Sequence, residues 1–514
     1  MPPYRPACSR LSRKGRTFSL SSWPTSQKDS EPPPHCMSRP TSKPFAVQTS
    51  SMPRHERSQV PVGMATILPH TAQRVRHLEK TLMTSLGRWG YQEIIPPTFE
   101  YLDVLSAGLE PDFIEKCYKF ADRTTGRILL LRPDVTAQIA RIVAMGMVGR
   151  NVPLRLCYRT TVFRYEPEHA GRDREIFQVG AELIGLDDVA SDSEIVALMV
   201  ECLKQLGLPA FKISVGHVGF FKALLAKSGM SLDGQKRAEQ AAARKDLPRL
   251  EEILSAERVP GREARAILEA PGLYGRDEVL ERGRVVAGRD RQLRATLDRL
   301  TQVYRLLVSA GMRDHLLLDL GEFRGFDYYD GVVFDVFATG VGCELGGGGR
   351  YNHLIGRFGR DLPSTGFAFD VDRLFRAMEC YEGGLPRARA DFLIAAPVAR
   401  SDRLFQVSQM LRNAGFRVVQ RTLRATGSAG IRSLVEEGDA EGASVVAMLA
   451  GTRVAPDEAL IVASSSAALR QAGSDTMVGK RIKVKDLPNL LAVVPDGTMP
   501  STIKVDASPR SVRT

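Results

Sequence analysis

The stretch Thr161-Val-Phe-Arg-Tyr-Glu-Pro-Glu-His-Ala-Gly-Arg-Asp-Arg-Glu-Ile-Phe-Gln-Val-Gly-Ala-Glu182 reads as a strand, a charged loop and a returning strand. Side chains alternate across a strand, so Arg164 and Glu166 are expected on one face of the first strand, with Phe163 and Tyr165 on the other. Gln178, Gly180 and Glu182 share one face of the second strand by the same period of two. A hairpin that offers Arg-rich arms together with acid and amide groups on one side suits a small zwitterionic or phosphorylated ligand.

Working outward, Thr71 opens an amphipathic helix in which Val75, Leu78, Leu82, Leu86 and Trp89 recur at three- and four-residue spacing. Gly87 and Gly90 mark its end, and Tyr91 to Pro97 reads as a strand closed by prolines. Arg127 to Arg132 is a further strand, followed by a helix over Ala137 to Met147 whose start Asp134 or Thr136 can cap. Residues 186–315 are mainly helical in pattern, with stretches at Ser191–Leu206, Phe220–Lys227, Gly234–Lys245 and Arg289–Val308. Their many charges suit a solvated face. His315–Leu320 and Val332–Phe337 read as strands flanking Arg324–Asp330, and the glycines at 346–349 let backbone come close to a ligand or a turn. No Gly-x-Gly-x-x-Gly between a strand and a helix and no P-loop lysine accompanies them, so neither nucleotide-binding motif is supported. Beyond a boundary near Tyr381–Pro386, strands at Asp391–Ala396, Phe416–Gln420, Ser444–Leu449 and Leu460–Ala463 alternate with helices at Asp402–Ala414 and Gly427–Glu437, the pattern of a small α/β domain.

The chain has 514 residues, 43% of them hydrophobic, enough for several cores. Of its formal charge of +12, residues 1–63 carry +7, from ten Lys/Arg against three Asp/Glu, which leaves +5 for the other 451. The folded part is therefore nearly balanced, which argues against an extended nucleic-acid face. Seven cysteines at 8, 36, 117, 157, 202, 343 and 380 include no Cys-x-x-Cys pair, which fits a reducing cytosol and supports neither a disulfide scaffold nor a zinc site. No 18-residue apolar run suggests a membrane span. Residues 1–63, rich in Pro, Ser and Arg, and the tail 496–514 are expected to be disordered. The composition of the N-terminal stretch admits an organelle transit peptide, and also a start further along, near Met37 or Met52.

Phe-Arg-x-Glu at 163–166 followed by Gly-Arg-x-Arg-Glu-x-x-Gln-x-Gly-x-Glu at 171–182 resembles motif 2 of the class II aminoacyl-tRNA synthetases, in its histidyl branch. Leu131-Arg-Pro-Asp-Val-Thr136, Arg324-Gly-Phe-Asp-Tyr-Tyr329, Gly346-Gly-Gly-Gly-Arg-Tyr351 and Gly366-Phe-Ala-Phe-Asp-Val-Asp-Arg373 extend the resemblance, in family order and at family spacing. The fold it implies is α/β: an antiparallel sheet core of the class II synthetase type over 64–382, flanked by helices, with a helical insertion at about 206–314. A degenerate anticodon-binding-like α/β domain would span 388–495. The helix from Thr71 with its Pro-ended strand corresponds to motif 1, a homodimer interface in the family.

That branch contains histidyl-tRNA synthetases and also the catalytically silent regulatory subunits of ATP phosphoribosyltransferase, the first enzyme of histidine biosynthesis. The wording Arg132-Pro-Asp-x-Thr-x-Gln-Ile-Ala-Arg141 and Ala170-Gly-Arg-Asp-Arg-Glu175 is more similar to the regulatory subunits. By resemblance Asp134, Thr136, Gln178, Glu182, Arg324, Tyr329 and Tyr351 form a histidine pocket, Asp134 meeting the amino group where the synthetases usually have a longer Glu. Arg164, Glu166 and Arg373 match the nucleotide-facing residues.

Three departures point away from adenylate chemistry. Asp370 stands where the family places a small Gly, and a like-charge contact at roughly 4 Å costs on the order of 4 kcal/mol at an effective dielectric of about 20. Ile176 aligns with an aromatic expected to stack on adenine, with Phe177 beside it as a substitute, and Asp372 replaces a Glu. The resemblance thus implies a non-catalytic, cytoplasmic chain without cofactor or metal. Its partners would be a short-form catalytic chain, in a hetero-octamer of four and four subunits, and L-histidine as effector, with neither membrane nor tRNA. An active histidyl-tRNA synthetase is the alternative.

Overall fold

The computed structural model describes residues 60–61, 63–147, 151–165, 174–322, 328–381, 390–424, 428–449, 454–462 and 480–491. Glu166, Arg324, the tip of the charged loop, most of the N-terminal extension and the tail lie outside the described residues.

The hairpin supplies the second and third strands of the main sheet. Leu154–Phe163 and Glu175–Ile184 pair antiparallel from Leu154↔Ile184 to Phe163↔Glu175. Around them runs a nine-stranded sheet in the order Gln92–Glu93, Leu154–Phe163, Glu175–Ile184, Ser364–Asp370, Gly346–Arg350, Val332–Ala338, Phe211–His217, Leu316–Asp319, Tyr274–Gly275. Its pairings are antiparallel except Gln92–Glu93 with the hairpin and Phe211–His217 with Leu316–Asp319.

The period of two sorts this sheet into a helix-covered face and a cleft face. Val179, Ala181 and Leu183 are fully buried in the main core, which they share with Val75, Leu78, Leu82 and Leu86 of the helix Pro69–Arg88 and with the helix Val189–Gln205. The latter starts with a capping box in which Asp188 accepts from the Ser191 amide and Ser191 serves the Asp188 backbone in return. Gln178, Gly180 and Glu182 therefore face the other way, as alternation requires. The strand expected over Tyr91–Pro97 shrinks to Gln92–Glu93, because Pro96 and Pro97 have no amide hydrogen for a ladder.

The glycine run is a strand, not a loop. Gly346–Arg350 lies between Val332–Ala338 and Ser364–Asp370, and a Cβ on Gly348 would stand 2.6 Å from the Phe367 Cα. Its glycines allow close approach of neighbouring strands as well as of the cleft.

The helical segment begins later than the expected 206, since Phe211–His217 belongs to the central sheet. Its β-branched and aromatic residues, with Ile213 and Val215 wholly buried, fit a strand better than the surrounding Ala/Glu/Arg-rich pattern. Six helices then follow between Val218 and Ser309. Asp134 is the N-cap of the helix Val135–Ala144, its Oδ1 accepting from the Ala137 amide at 2.8 Å.

The C-terminal sheet has the order Val418–Leu423, Phe392–Pro397, Val445–Met448, Glu458–Val462, Lys480–Lys483. The first three strands are parallel and the last two antiparallel. Helices Ser401–Asn413 and Ser428–Ala440 accompany it. The strand Lys480–Lys483 has no apolar alternation to reveal it, and Lys483 suits a protected edge. Among the described residues no helix is long and apolar enough to cross a membrane, and no cluster of His, Cys, Asp or Glu is arranged to hold a metal ion.

Candidate functional site

A cavity of about 350 Å³ opens on the cleft face of the sheet, and the distant motifs converge on it. Asp134, Thr136, Gln178, Tyr329 and Tyr351 line it, together with Arg164. Glu182 sits just behind this wall: Thr136 Oγ1 donates to its Oε1 at 2.7 Å, and the Tyr351 hydroxyl donates to its Oε2. Tyr328, Tyr329 and Tyr351 form an aromatic side with ring centroids 4.7, 5.9 and 6.5 Å apart.

The glycines at this end of the sheet make room for these groups. A Cβ on Gly180 would meet the Tyr158 hydroxyl at 2.5 Å, and one on Gly349 would meet the Tyr329 ring at 3.0 Å. Tyr158 was not anticipated from the sequence, although its alternation with Leu156 and Thr160 across from Gly180 carried the signal. Glu322, Asp335 and Glu344 also line the cavity and were missed. Nothing local distinguishes them from other strand and loop carboxylates.

Burial raises the carboxyl pKa of Asp134, against the opposing pull of the Arg164 guanidinium and the amides at the helix start. Burial likewise pushes Glu182 up to about 8, outweighing the hydrogen bonds from Tyr351 and Thr136, while Asp134 nearby adds to the rise. Two desolvated carboxyls close together favour a bound ammonium or imidazole N–H over empty space. Burial also holds Tyr158, Tyr328 and Tyr351 as neutral hydroxyls, well above the usual phenol range.

Arg164 differs from its expected setting. The first hairpin strand ends at Phe163, so Arg164 and Tyr165 follow it instead of alternating within it. The Arg164 Nε donates to the Pro133 carbonyl at 2.8 Å, and its guanidinium lies 5.4 Å from the Phe113 ring. Its charge thereby stands next to Asp134.

The other nucleotide-facing residue, Arg373, is held by carboxylates. Its Nη1 donates to the Glu344 side chain at 2.5 Å and to the Glu344 carbonyl at 2.8 Å, and its Nε is 3.3 Å from Asp370 Oδ2. Asp370 Oδ1 also accepts from Gln178 Nε2 at 2.9 Å. The Asp370 charge is thus partly neutralised, and bare repulsion of a phosphate is too simple an account of its effect; the same contact also occupies the cation a phosphate would need. Asp372 Oδ2 lies 3.4 Å from the Phe177 amide, which ties its helix to the hairpin. Phe177 packs against the helix-side core and Ile176 against the opposite one, so Phe177 does not replace the missing stacking ring.

The charge of the cavity follows from this inventory. Among the described residues, its wall carries five carboxylates, Asp134, Glu322, Asp335, Glu344 and Asp370, against one guanidinium, Arg164. Such a wall suits a ligand bearing an ammonium and disfavours a polyphosphate.

Residues 63–374 match the family model described as histidyl-tRNA synthetase. The fold is that of a class II, histidyl-tRNA synthetase-like protein. Among curated proteins, the chain is 40% identical over 357 residues to an ATP phosphoribosyltransferase regulatory subunit of Geobacter metallireducens, which covers 70% of this chain and 82% of that protein. It is 42% identical over 319 residues to the one from Moorella thermoacetica, 62% of this chain and 82% of that one. The chain belongs to the family of ATP phosphoribosyltransferase regulatory subunits, and so to regulatory rather than catalytic chains. Among solved structures, one from Bacillus halodurans described as an ATP phosphoribosyltransferase regulatory subunit/histidyl-tRNA synthetase aligns with a TM-score of 0.65 at 28% identity, over 73% of this chain and 96% of that one. A histidyl-tRNA synthetase from a Nostoc species aligns at 0.69 and 19% identity, over 84% and 98%, and bears on the fold alone.

Proposed function

We propose that this chain is the histidine-sensing regulatory subunit of a cytoplasmic ATP phosphoribosyltransferase. It joins a short-form catalytic chain, is required for that chain's activity, and conveys feedback inhibition by L-histidine in the first step of histidine biosynthesis. The assembly is a hetero-octamer of four regulatory and four catalytic chains, with regulatory chains paired as dimers.

The observation that carries this reading is the division of the cleft. Its amino-acid half keeps carboxylates, an amide and tyrosyl hydroxyls around an open cavity, while Arg373, behind the wall, is bound by Asp370 and Glu344. Asp134 would take the α-ammonium and Glu182, with Thr136 and Tyr351, the imidazole; Gln178 and Tyr329 flank them, and Arg324 joins them by its motif. Sensing requires only that histidine bind one of two states of the assembly better than the other. A second reading, an active histidyl-tRNA synthetase, is favoured by Arg164 in the cleft and by the C-terminal α/β unit.

The test mixes the purified chain with a short-form catalytic chain from the same source and follows phosphoribosyl-ATP formation with and without histidine. Activation that histidine reverses is the expected result. Absence of activation, together with histidine-dependent ATP–pyrophosphate exchange by this chain alone, overturns the reading in favour of the synthetase.

A further inference from the structure

The Asp370 side chain stands between two groups of opposite demand. One oxygen accepts from Gln178 Nε2 at 2.9 Å and the other lies 3.3 Å from Arg373 Nε. Arg373 is also clamped by Glu344, and both carboxylates line the cavity while Arg373 does not. Asp370 ends the strand Ser364–Asp370, its register partner there is Gln178, and the helix carrying Arg373 follows at once. Backbone alone therefore fixes the three groups side by side.

We propose that Asp370 sets the ligand class of the cleft: its carboxylate is a built-in anion that occupies Arg373 and, through Gln178, directs the amide so that its carbonyl oxygen points toward a ligand's ammonium. Gln178 has one NH₂ and one carbonyl on the same carbon, and donating one N–H to Asp370 fixes the NH₂ end of the amide toward that carboxylate. The carbonyl is then the end turned away from Asp370, and as an acceptor it serves an ammonium and not a phosphate or adenylate. With Asp370 in place the region takes a free amino acid; with it neutralised, Arg373 loses one of two counter-charges, Gln178 is free to turn its donors inward, and an anion becomes acceptable. This rests on the reading of the cleft as an amino-acid site.

Asp370→Asn keeps the shape and removes the charge, and Asp370→Gly removes both. Histidine and Mg-ATP are each titrated calorimetrically into the wild type and both variants, with thermal unfolding as a check on folding. The wild type should bind histidine and show no saturable ATP binding up to millimolar concentrations. Both variants should bind histidine about tenfold more weakly and gain ATP binding, Asp370→Gly more than Asp370→Asn. If either variant is unfolded, Glu344→Gln releases the other clamp and should also gain ATP binding. ATP binding by the wild type, or folded variants with unchanged preference between the two ligands, overturns the assignment. A wild type that binds no histidine, with variants that still gain ATP binding, overturns the sensor reading while leaving the role of Asp370 as anion mimic.

Discussion

Gly366 and Glu182 are cross-strand partners, and a Cβ built on Gly366 would stand 2.6 Å from the Glu182 carboxyl carbon. The Glu182 side chain lies over the glycine because the neighbouring strand offers it nothing but backbone there. Gly366→Ala must push this carboxylate out of reach of Thr136 and Tyr351. The overpacking should cost about 1–3 kcal/mol of stability, read from urea unfolding. Histidine affinity should fall by about tenfold or more, the equivalent of about 1.4 kcal/mol. An alanine variant with wild-type affinity would remove Glu182 from the pocket.

Glu182 also makes histidine binding depend on pH. With its carboxyl pushed up to about 8 by burial, the group holds a proton at neutral pH in the empty site. An imidazole N–H needs the carboxylate as acceptor, so binding expels that proton. Histidine affinity should therefore rise with pH, by up to about tenfold per unit below 8, and level off above it. Calorimetry at pH 7 in buffers of different ionisation heat should detect release of close to one proton, and Glu182→Gln should abolish it. Heats that do not vary with the buffer in the wild type mean that the proton stays in the site, on Glu182 or passed to the imidazole, and rule out its release to solvent.

Much of this was legible in the sequence, for identifiable reasons. The second hairpin strand announces itself by the alternation of Gln178, Gly180 and Glu182 with apolar residues, and the helix Pro69–Arg88 by its apolar spacing, whereas the alternation expected through Arg164 runs past the end of the first strand. A cap at Asp134 or Thr136 follows from their place before an apolar helix, and the structure selects Asp134. Long-range partnerships were not legible, because they depend on sheet order. Arg350 looks like a motif residue beside Tyr351, yet it is wholly buried, 2.6 Å from Asp192 and also bound to Ser191 Oγ, more than 150 residues earlier. The clamp on Arg373 has the same character, since Glu344 precedes it by 29 residues and lies across a strand. Phe211–His217 was absorbed into a helical stretch because a seven-residue strand between long helices has too few periods to stand out.

His217, the last residue of that strand, predicts the acid side of the stability curve. Its Nδ1 accepts from the Gly219 amide at 3.1 Å, and burial, reinforced by Arg299 and Arg350, lowers its pKa to about 4. In the unfolded chain it titrates near 6.5. Between these values the unfolded chain binds a proton that the folded chain refuses, so stability is present above the window and is lost as pH falls through it, by at most about 3 kcal/mol. His217→Asn retains a capping side chain and cannot titrate. Urea unfolding from pH 7 to pH 4 should fall less steeply in this variant than in the wild type; parallel curves would mean that His217 is protonated in the fold.

If the cleft is the sensor and another surface meets the catalytic chain, inhibition and activation must be separable by mutation. Gln178→Ala removes the amide between Asp370 and the cavity, and Glu182→Gln keeps the volume while removing the carboxylate. Neither side chain reaches the exterior, with Gln178 7% and Glu182 1% exposed, so neither can contribute directly to a protein–protein contact. In the reconstituted enzyme, both variants should activate the catalytic chain to within about twofold of the wild type, while the histidine concentration for half-inhibition rises by about two orders of magnitude, the equivalent of losing about 3 kcal/mol of charge-assisted hydrogen bonding. A variant that loses activation and inhibition together, while its unfolding midpoint matches the wild type, would show that the pocket and the partner surface are a single unit. Inhibition that survives in both variants would mean that histidine binds elsewhere, and the carboxylate-lined cleft would then need another amine as its ligand.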